Sequence, residues 1–530
     1  MLNTSRSRRG MVTAPHRLAS QAGLQILREG GNAIEAAVAT AAALAVVYPH
    51  MNSIGGDGFW LIAEPGRAPM AIDAAGRAGA AANPTLYRDH GLAAVPWRGP
   101  LAANTVAGTV SGWEAALEIG RRWGGRLPLA RLLAEAIDYA KGGVVVTDGM
   151  AETVAAKWDE LSALPSNSVC ALLEGAPPRP GSVLRQPQLA ATLHRLAEAG
   201  LADFYRGGLA EAIAADLADL GAPVGRQDLR SHAASLVAPL SVSLKGAELF
   251  NLPPPTQGLA SLMILTLFDR LGVTAGEGFD HVHGLIEATK QAFLVRDRHV
   301  GDPAHMEVDA QSLLDDAAGL DARAARIDRH RALPWPQPPS AGDTVWFGVI
   351  DGDGRAVSMI QSTYFEFGAG LVLPRTGIVW QNRGASFRVA DDGWNALKPG
   401  RKPFHTLNPA MARLSDGRQM VYGTMGGEGQ PQTQAAIFTR YAMFGQELQA
   451  AVTAPRWLLG RTWGEESTSL KLEDRFDPAL IAQLRAAGHE VELVAPFTST
   501  MGHAGALVRH ADGTLEGAAD PRSDGAVAAW

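Results

Sequence analysis

The sequence predicts a mixed α and β fold, and three observations carry that expectation. Apolar residues at helical spacing dominate the first two thirds of the chain, strand-length apolar runs dominate the last third, and a proline-rich segment lies between them. Helices are expected at 18–29, where Leu18, Ala22, Ile26 and Leu27 share a face, and then at 33–47, 129–141, 188–199 and 282–297. The alanine-rich run 36–48 is too short to span a membrane comfortably and fits a helix packed closely inside the fold. Early strands are expected at 59–63 and 70–72, either side of the turn Glu64-Pro65-Gly66, and at 240–244 and 247–251. Later strand candidates are 377–381, 410–414, 419–423, 469–472 and 504–509.

The proline-rich segment, Leu333-Pro334-Trp335-Pro336-Gln337-Pro338-Pro339-Ser340-Ala341, cannot continue a helix, because proline lacks the N–H donor and clashes with the preceding turn. It leads to Gly342-Asp343-Thr344, where a hairpin begins. Val345, Phe347 and Val349 alternate with Trp346, Gly348 and Ile350, Asp351-Gly352-Asp353-Gly354 supplies the turn, and 356–360 returns. Thr344 therefore opens a strand, and a threonine there has two readings. It is a common strand residue. It is also a place where a hydroxyl can attack the preceding carbonyl, cut the chain and leave a new N-terminal amine to serve as base.

Blocks elsewhere bear on that choice. Met11-Val12-Thr13-Ala14-Pro15-His16, Gly30-Gly31-Asn32-Ala33, Pro49-His50-Met51 and Ile54-Gly55-Gly56-Asp57-Gly58-Phe59 come first. Asn251-Leu252-Pro253-Pro254-Pro255-Thr256, Glu287 and Lys290 within 283–293, Gly301-Asp302-Pro303, Phe367-Gly368, Thr424-Met425-Gly426-Gly427 and a tail from Asp512 to Trp530 follow. In number and order these blocks resemble the γ-glutamyltranspeptidase family of N-terminal-nucleophile hydrolases, in which the self-processing Thr precedes the turn Asp by the spacing that separates Thr344 from Asp351. The resemblance implies a four-layer αββα sandwich. It also implies a proenzyme cut between Asp343 and Thr344 into a large chain, 1–343, and a small chain, 344–530, held together as one globular heterodimer, with pairing into a heterotetramer as a further option.

Residue chemistry supplies a mechanism for that expectation. The Thr344 hydroxyl would attack the carbonyl of Asp343, and the freed α-amine, of ordinary pKa roughly 7.7 to 8.0, would then accept the hydroxyl proton without a histidine. Consecutive N–H groups at Gly426-Gly427 suit a tetrahedral oxyanion, although by themselves they also read as a tight turn. Ser362 falls where the family carries a second hydroxyl beside the nucleophile's amine. Thr363 is one residue away, and on a regular strand only one of the two can face that amine.

Substrate choice is where the sequence departs from the family pattern. Arg77, in Asp73-Ala74-Ala75-Gly76-Arg77, matches the arginine that grips an α-carboxylate in transpeptidases; a solvated surface arginine is the bland alternative. The acidic partner for a substrate ammonium is missing, because its position in Gln381-Asn382-Arg383-Gly384-Ala385-Ser386-Phe387 is Ser386, and Arg383 adds positive charge. The family's paired serines correspond to His405 and Thr406. This pattern fits the amidohydrolase branch, including oxamate amidohydrolases: a small carboxylate amide held by Arg77 and Arg383 and hydrolysed with release of ammonia. The alternative is a γ-glutamyltransferase or glutathione hydrolase, which needs an acid from elsewhere, such as Glu366, Asp391 or Asp392, to bind the ammonium.

Composition excludes other classes. Net charge −7 and pI near 6.1 offer no basic field for nucleic acid. The single Cys170, in Ser168-Val169-Cys170-Ala171-Leu172-Leu173, rules out an internal disulfide, reads as buried apolar packing and suits a reducing compartment. Arg8-Arg9 is followed by no apolar core of signal-peptide length, so a cytoplasmic protein without a membrane partner is expected. No metal and no cofactor are expected. His281 and His283 stand two apart on a helix, the Asp351 turn lacks the remaining ligands of a calcium loop, and Gly55-Gly56-Asp57-Gly58 is not a nucleotide-binding signature.

Overall fold

The computed structural model describes residues 3–164, 168–335, 343–460 and 469–530. The proline-rich stretch from Pro336 through Gly342 and the side chain of Asp343 lie outside the described residues.

Two seven-stranded antiparallel sheets form the centre of the chain. One runs, edge to edge, through Ser5–Ser7, Leu515–Ala519, Ala504–Arg509, Gln419–Thr424, Ala410–Leu414, Ala247–Asn251 and Leu240–Leu244. The other runs through Ala526–Ala529, Met11–Ala14, Asp343–Ile350, Ala356–Tyr364, Asp57–Ala63, Met70–Ala74 and Ser235–Val237. Each sheet mixes strands from both sides of Thr344.

Strand alternation divides the apolar side chains into layers. In the strand Asp343–Ile350, Val345, Phe347 and Val349 face helices, whereas Trp346 and Ile350 join Met11, Phe59, Leu61 and Ile360 against Phe250, Met411, Val421 and Leu507 of the opposite sheet. A second cluster, under Gly258–Leu271 and Phe279–His299, covers the outer face of the first sheet. The result is helix, sheet, sheet, helix, the expected four-layer αββα sandwich.

The helix Ala33–Val47 shows why the alanine-rich run belongs inside. Every residue of it is buried, as an all-round apolar helix requires. Its first turn is capped by Asn32 with Glu35 in a capping box, and Asp351 Oδ2 accepts the Ala33 N–H at 3.1 Å. The turn of the hairpin is thereby tied to the helix.

Trp346 fixes the hairpin against the opposite sheet. Its indole N–H donates to Ser358 Oγ at 2.9 Å, and the ring occupies a notch made by Gly423 and Gly505.

Three expectations need correction. The helix expected at 129–141 is two, Leu129–Leu132 and Ala134–Gly142, divided at Leu133, whose φ of −95° and ψ of −3° depart from helical values. The strand expected at 377–381 is absent. Leu373 O accepts both the Thr376 and Gly377 N–H groups in a turn with Gly377 at φ +69°, leaving only isolated bridges at Val379 and Trp380. Cys170 is half-buried; it is Val169 before it that is packed away.

A Cβ at position 423 would lie 2.2 Å from Trp346 Cδ1. Gly423→Ala is expected to destabilise the protein by about 1–3 kcal/mol through overpacking, seen as a lowered thermal midpoint; an unchanged midpoint would contradict the notch.

Candidate functional site

The same alternation that buries Trp346 turns Thr344 toward the gap between the sheets. Thr344 is fully buried, and Gln430 Nε2 approaches its hydroxyl at 3.4 Å from the opposite sheet's side. Beside it the ladder slips. Asp343 pairs with Tyr364 and Val345 with Gln361, so Ser362 and Thr363 together oppose Thr344 in a β-bulge. Strand parity therefore does not choose between those hydroxyls. Ser362 Oγ accepts the Tyr364 N–H at 2.7 Å, and the Thr363 hydroxyl donates to Phe365 O at 3.2 Å.

On its other edge Ser362 pairs with Asp57, which shares the parity of Phe59 and Leu61 and faces the same gap. Asp57 Oδ1 accepts N–H donors from Gly76 (2.9 Å), Gly108 (3.1 Å) and Gln381 (3.1 Å), and Oδ2 meets His405 Nε2 at 3.0 Å. Burial pushes the Asp57 carboxyl up, but these donors favour its ionised form. His405 is driven well below the usual histidine range, by burial first and then by Arg383 and Lys402. The contact is thus a hydrogen bond of a neutral imidazole rather than an ion pair, and among the described residues His405 Nδ1 has no partner.

Arg383 is fully buried. Its Nη1 donates to Thr406 Oγ1 at 3.2 Å and its guanidinium carbon lies 3.8 Å from the Tyr364 ring centre. Among the described residues Nε and Nη2 have no hydrogen-bond partner. Burial presses its pKa down to about 10, which leaves it a cation at neutral pH. The preceding Asn382 N–H donates to Thr363 O, so Arg383 is carried on the bulge opposite Thr344.

Gly426 and Gly427 have φ of +117° and +51°, in the range that favours glycine. No hydrogen bond from either N–H reaches another described residue. Their position is held from behind: Gln257 Nε2 donates to Gly427 O (2.8 Å) and Thr406 O (2.7 Å), Arg296 Nη1 donates to Gln257 Oε1 (3.0 Å), and Arg296 pairs with Glu428 (3.0 Å).

Other expected residues stand apart from this cluster. The Ser386 hydroxyl donates to Phe404 O at 3.1 Å. Arg77 is half-exposed, donates to Gly400 O at 3.0 Å and faces Asp302 at 3.6 Å. The surface depressions it lines include Asp73, His232 and Lys402 but neither Thr344 nor Arg383. Of the acids considered for an ammonium, exposed Asp391 and Asp392 pair with Arg88 and Lys398, and buried Glu366 faces Arg98 at 3.9 Å.

Among the described residues, His283, Glu287 and His489 are close enough to share a metal ion. They are already satisfied: His283 bonds His489 at 2.9 Å, and Glu287 accepts from Lys290 at 2.7 Å and from the Leu333 N–H at 3.0 Å. His281 turns elsewhere, to Thr439.

Asp57, Gln257, Tyr364 and Gln430 belong to the site without having been expected there. Asp57 was legible from its even spacing with Phe59 and Leu61; the other three depend on long-range contacts.

The family model for γ-glutamyltranspeptidase matches residues 19–530. The chain belongs to the γ-glutamyltranspeptidase family. An oxamate amidohydrolase proenzyme of Klebsiella pneumoniae is 57% identical over the full length of both chains. A glutathione hydrolase-like YwrD proenzyme of Bacillus subtilis is 40% identical, with 98% of each chain covered. The crystal structure of a cephalosporin acylase from Bacillus halodurans superposes with a TM-score of 0.92 at 34% identity, covering 100% of this chain and 97% of that one. The protein is accordingly a hydrolase with the N-terminal-nucleophile fold, on the oxamate amidohydrolase-like branch of its family. Among the described residues no helix is long and apolar enough to cross a membrane.

Gln257→Leu would leave the carbonyls of Gly427 and Thr406 without this donor. It is expected to cost about 1–3 kcal/mol, measured as a lowered thermal midpoint, whereas an unaltered midpoint would show that the glycine turn is held by other means.

Proposed function

We propose that this protein is a self-processing amidohydrolase acting on a small carboxylate amide such as oxamate. One observation carries the reading: Arg383 is a buried cation whose Nε and Nη2 are unused among the described residues, and Asn382 before it bonds the bulge that opposes Thr344, while Asp391 and Asp392 are paired with Arg88 and Lys398 and buried Glu366 lies 3.9 Å from Arg98. A monoanion satisfies such a cation. The 57% identity to a protein named for oxamate supports the same substrate class.

In the precursor, Thr344 Oγ attacks the Asp343 carbonyl carbon, the C–N bond breaks in favour of an ester, and water cleaves the ester. This yields chains 1–343 and 344–530 as a heterodimer, with the heterotetramer as a higher assembly. The new Thr344 α-amine then takes the proton from Oγ as the hydroxyl attacks the substrate amide carbon. Gly426 and Gly427 N–H groups stabilise the oxyanion, and Ser362 orients the amine. The amine returns its proton to the departing nitrogen, ammonia leaves, and water hydrolyses the acyl-Thr344 ester to the dicarboxylate. Arg383, supported by Thr406, holds the substrate carboxylate; neutral His405 offers Nδ1 to an amide N–H. Ser386 supports the loop through Phe404, and Arg77 attracts the anion at the rim. A cytoplasmic location is part of the proposal.

Ammonia release from oxamate, glutathione and glutamine tests the reading. Wild type is expected to act on oxamate and Thr344→Ala on none. Arg383→Leu should lose about one to two orders of magnitude in kcat/KM, the worth of one charged hydrogen bond, and Arg77→Ala less than about tenfold, as for a solvated charge. Activity confined to glutathione and glutamine would instead support the γ-glutamyl reading.

A further inference from the structure

Tyr364 carries a conformation that an aromatic residue seldom adopts. Its φ is +85°, in the left-handed region that disfavours a side chain with a bulky Cβ substituent. Backbone strain of this kind persists where the surrounding structure enforces it, and it concentrates at functional sites. Tyr364 is the ladder partner of Asp343, so it stands one strand spacing from the residue before Thr344.

The ring does not stand alone. It covers one face of the Arg383 guanidinium at 3.8 Å, its centroid lies 4.4 Å from that of Phe365, and Phe365 lies 5.1 Å from Trp97, whose side is 42% exposed. Asn382 fastens this row, accepting the Phe365 N–H at 3.1 Å and donating to Trp97 O at 2.8 Å. An aromatic wall thus runs from solvent to the buried cation, beside the nucleophile strand.

We propose that Tyr364, backed by Phe365 and Trp97, sets an upper limit on the length of the acid amide that can bridge Arg383 and Thr344. This inference rests on the amidohydrolase reading above and narrows its substrate class to the shortest monoamides of dicarboxylic acids. With the carboxylate on Arg383 and the amide carbon at Thr344, each added methylene must find space where the Tyr364 ring packs. Tyr364 is a specificity-determining residue in this account.

The test compares oxamate, malonamate and succinamate, whose carboxyl and amide groups are separated by progressively more methylenes. Wild-type kcat/KM is expected to fall by about tenfold or more per methylene. Tyr364→Gly, which relieves the left-handed backbone and removes the ring, should flatten or invert that order, Tyr364→Phe should retain it, and Trp97→Ala at the exposed rim should flatten it partly. Inhibition of the wild type by oxalate, malonate and succinate supplies a measurement that needs no variant, with potency expected to fall in that order. Equal potency of the diacids, or a Tyr364→Gly enzyme with the wild-type order of amides, would overturn the size limit while leaving oxamate hydrolysis standing. A wild type inert to oxamate but active on glutathione would overturn the underlying reading and this inference with it.

Discussion

The alternation of side chains along Asp343–Ile350 is the constraint on which the site depends. Odd positions from Val345 onward pack against helices, so Thr344 and Trp346 must face the second sheet. Trp346 enforces that register, because its ring fits only where Gly423 and Gly505 lack side chains. A one-residue slip would carry Thr344 into the helix layer, away from Gln430 and the glycine turn. Asp57 and Ser362 fall on the same face by the same rule, and the bulge at Ser362 and Thr363 is the one local departure from it.

Electrostatics then shape what the gap can hold. Arg383 and Asp57 are both fully buried, but they are not equivalent. Asp57 is surrounded by donors and by neutral His405, whereas Arg383 has, among the described residues, one hydrogen bond, to Thr406, and an aromatic face. A buried cation with unused donors is costly until an anion arrives. That asymmetry is why the proposed substrate carries a carboxylate. Behind it, Arg296 and Gln257 link the Thr406 and Gly427 carbonyls, so the anion-binding and oxyanion-binding parts of the proposed machinery share one support.

Much of this was readable in the chain. The hairpin at Thr344, the helix at 33–47, the strands at 240–244, 247–251, 410–414 and 504–509, and the glycine pair all follow from local pattern or turn chemistry. Arg383 was also legible, as a positive charge beside Ser386, which stands where the resemblance led one to expect an acid. What could not be read depends on tertiary contact. The bulge at Ser362 has no signature in Gln361-Ser362-Thr363-Tyr364. The strand-like run 377–381 yields to the turn at Gly377. Tyr364 reads as an ordinary strand aromatic until its backbone and its contact with Arg383 are seen. Arg77 carries the family motif, yet its described partners are Gly400 and Asp302, which no local pattern discloses.

The central claim is that Thr344 forms the acyl-enzyme. The most direct measurement is intact and peptide mass spectrometry of the purified protein, before and after rapid acid quench with oxamate. The account predicts a small chain whose first residue is Thr344, made heavier by one oxalyl group that maps to its N-terminal peptide. An uncleaved chain that hydrolyses oxamate, or an adduct on any other residue, would contradict it.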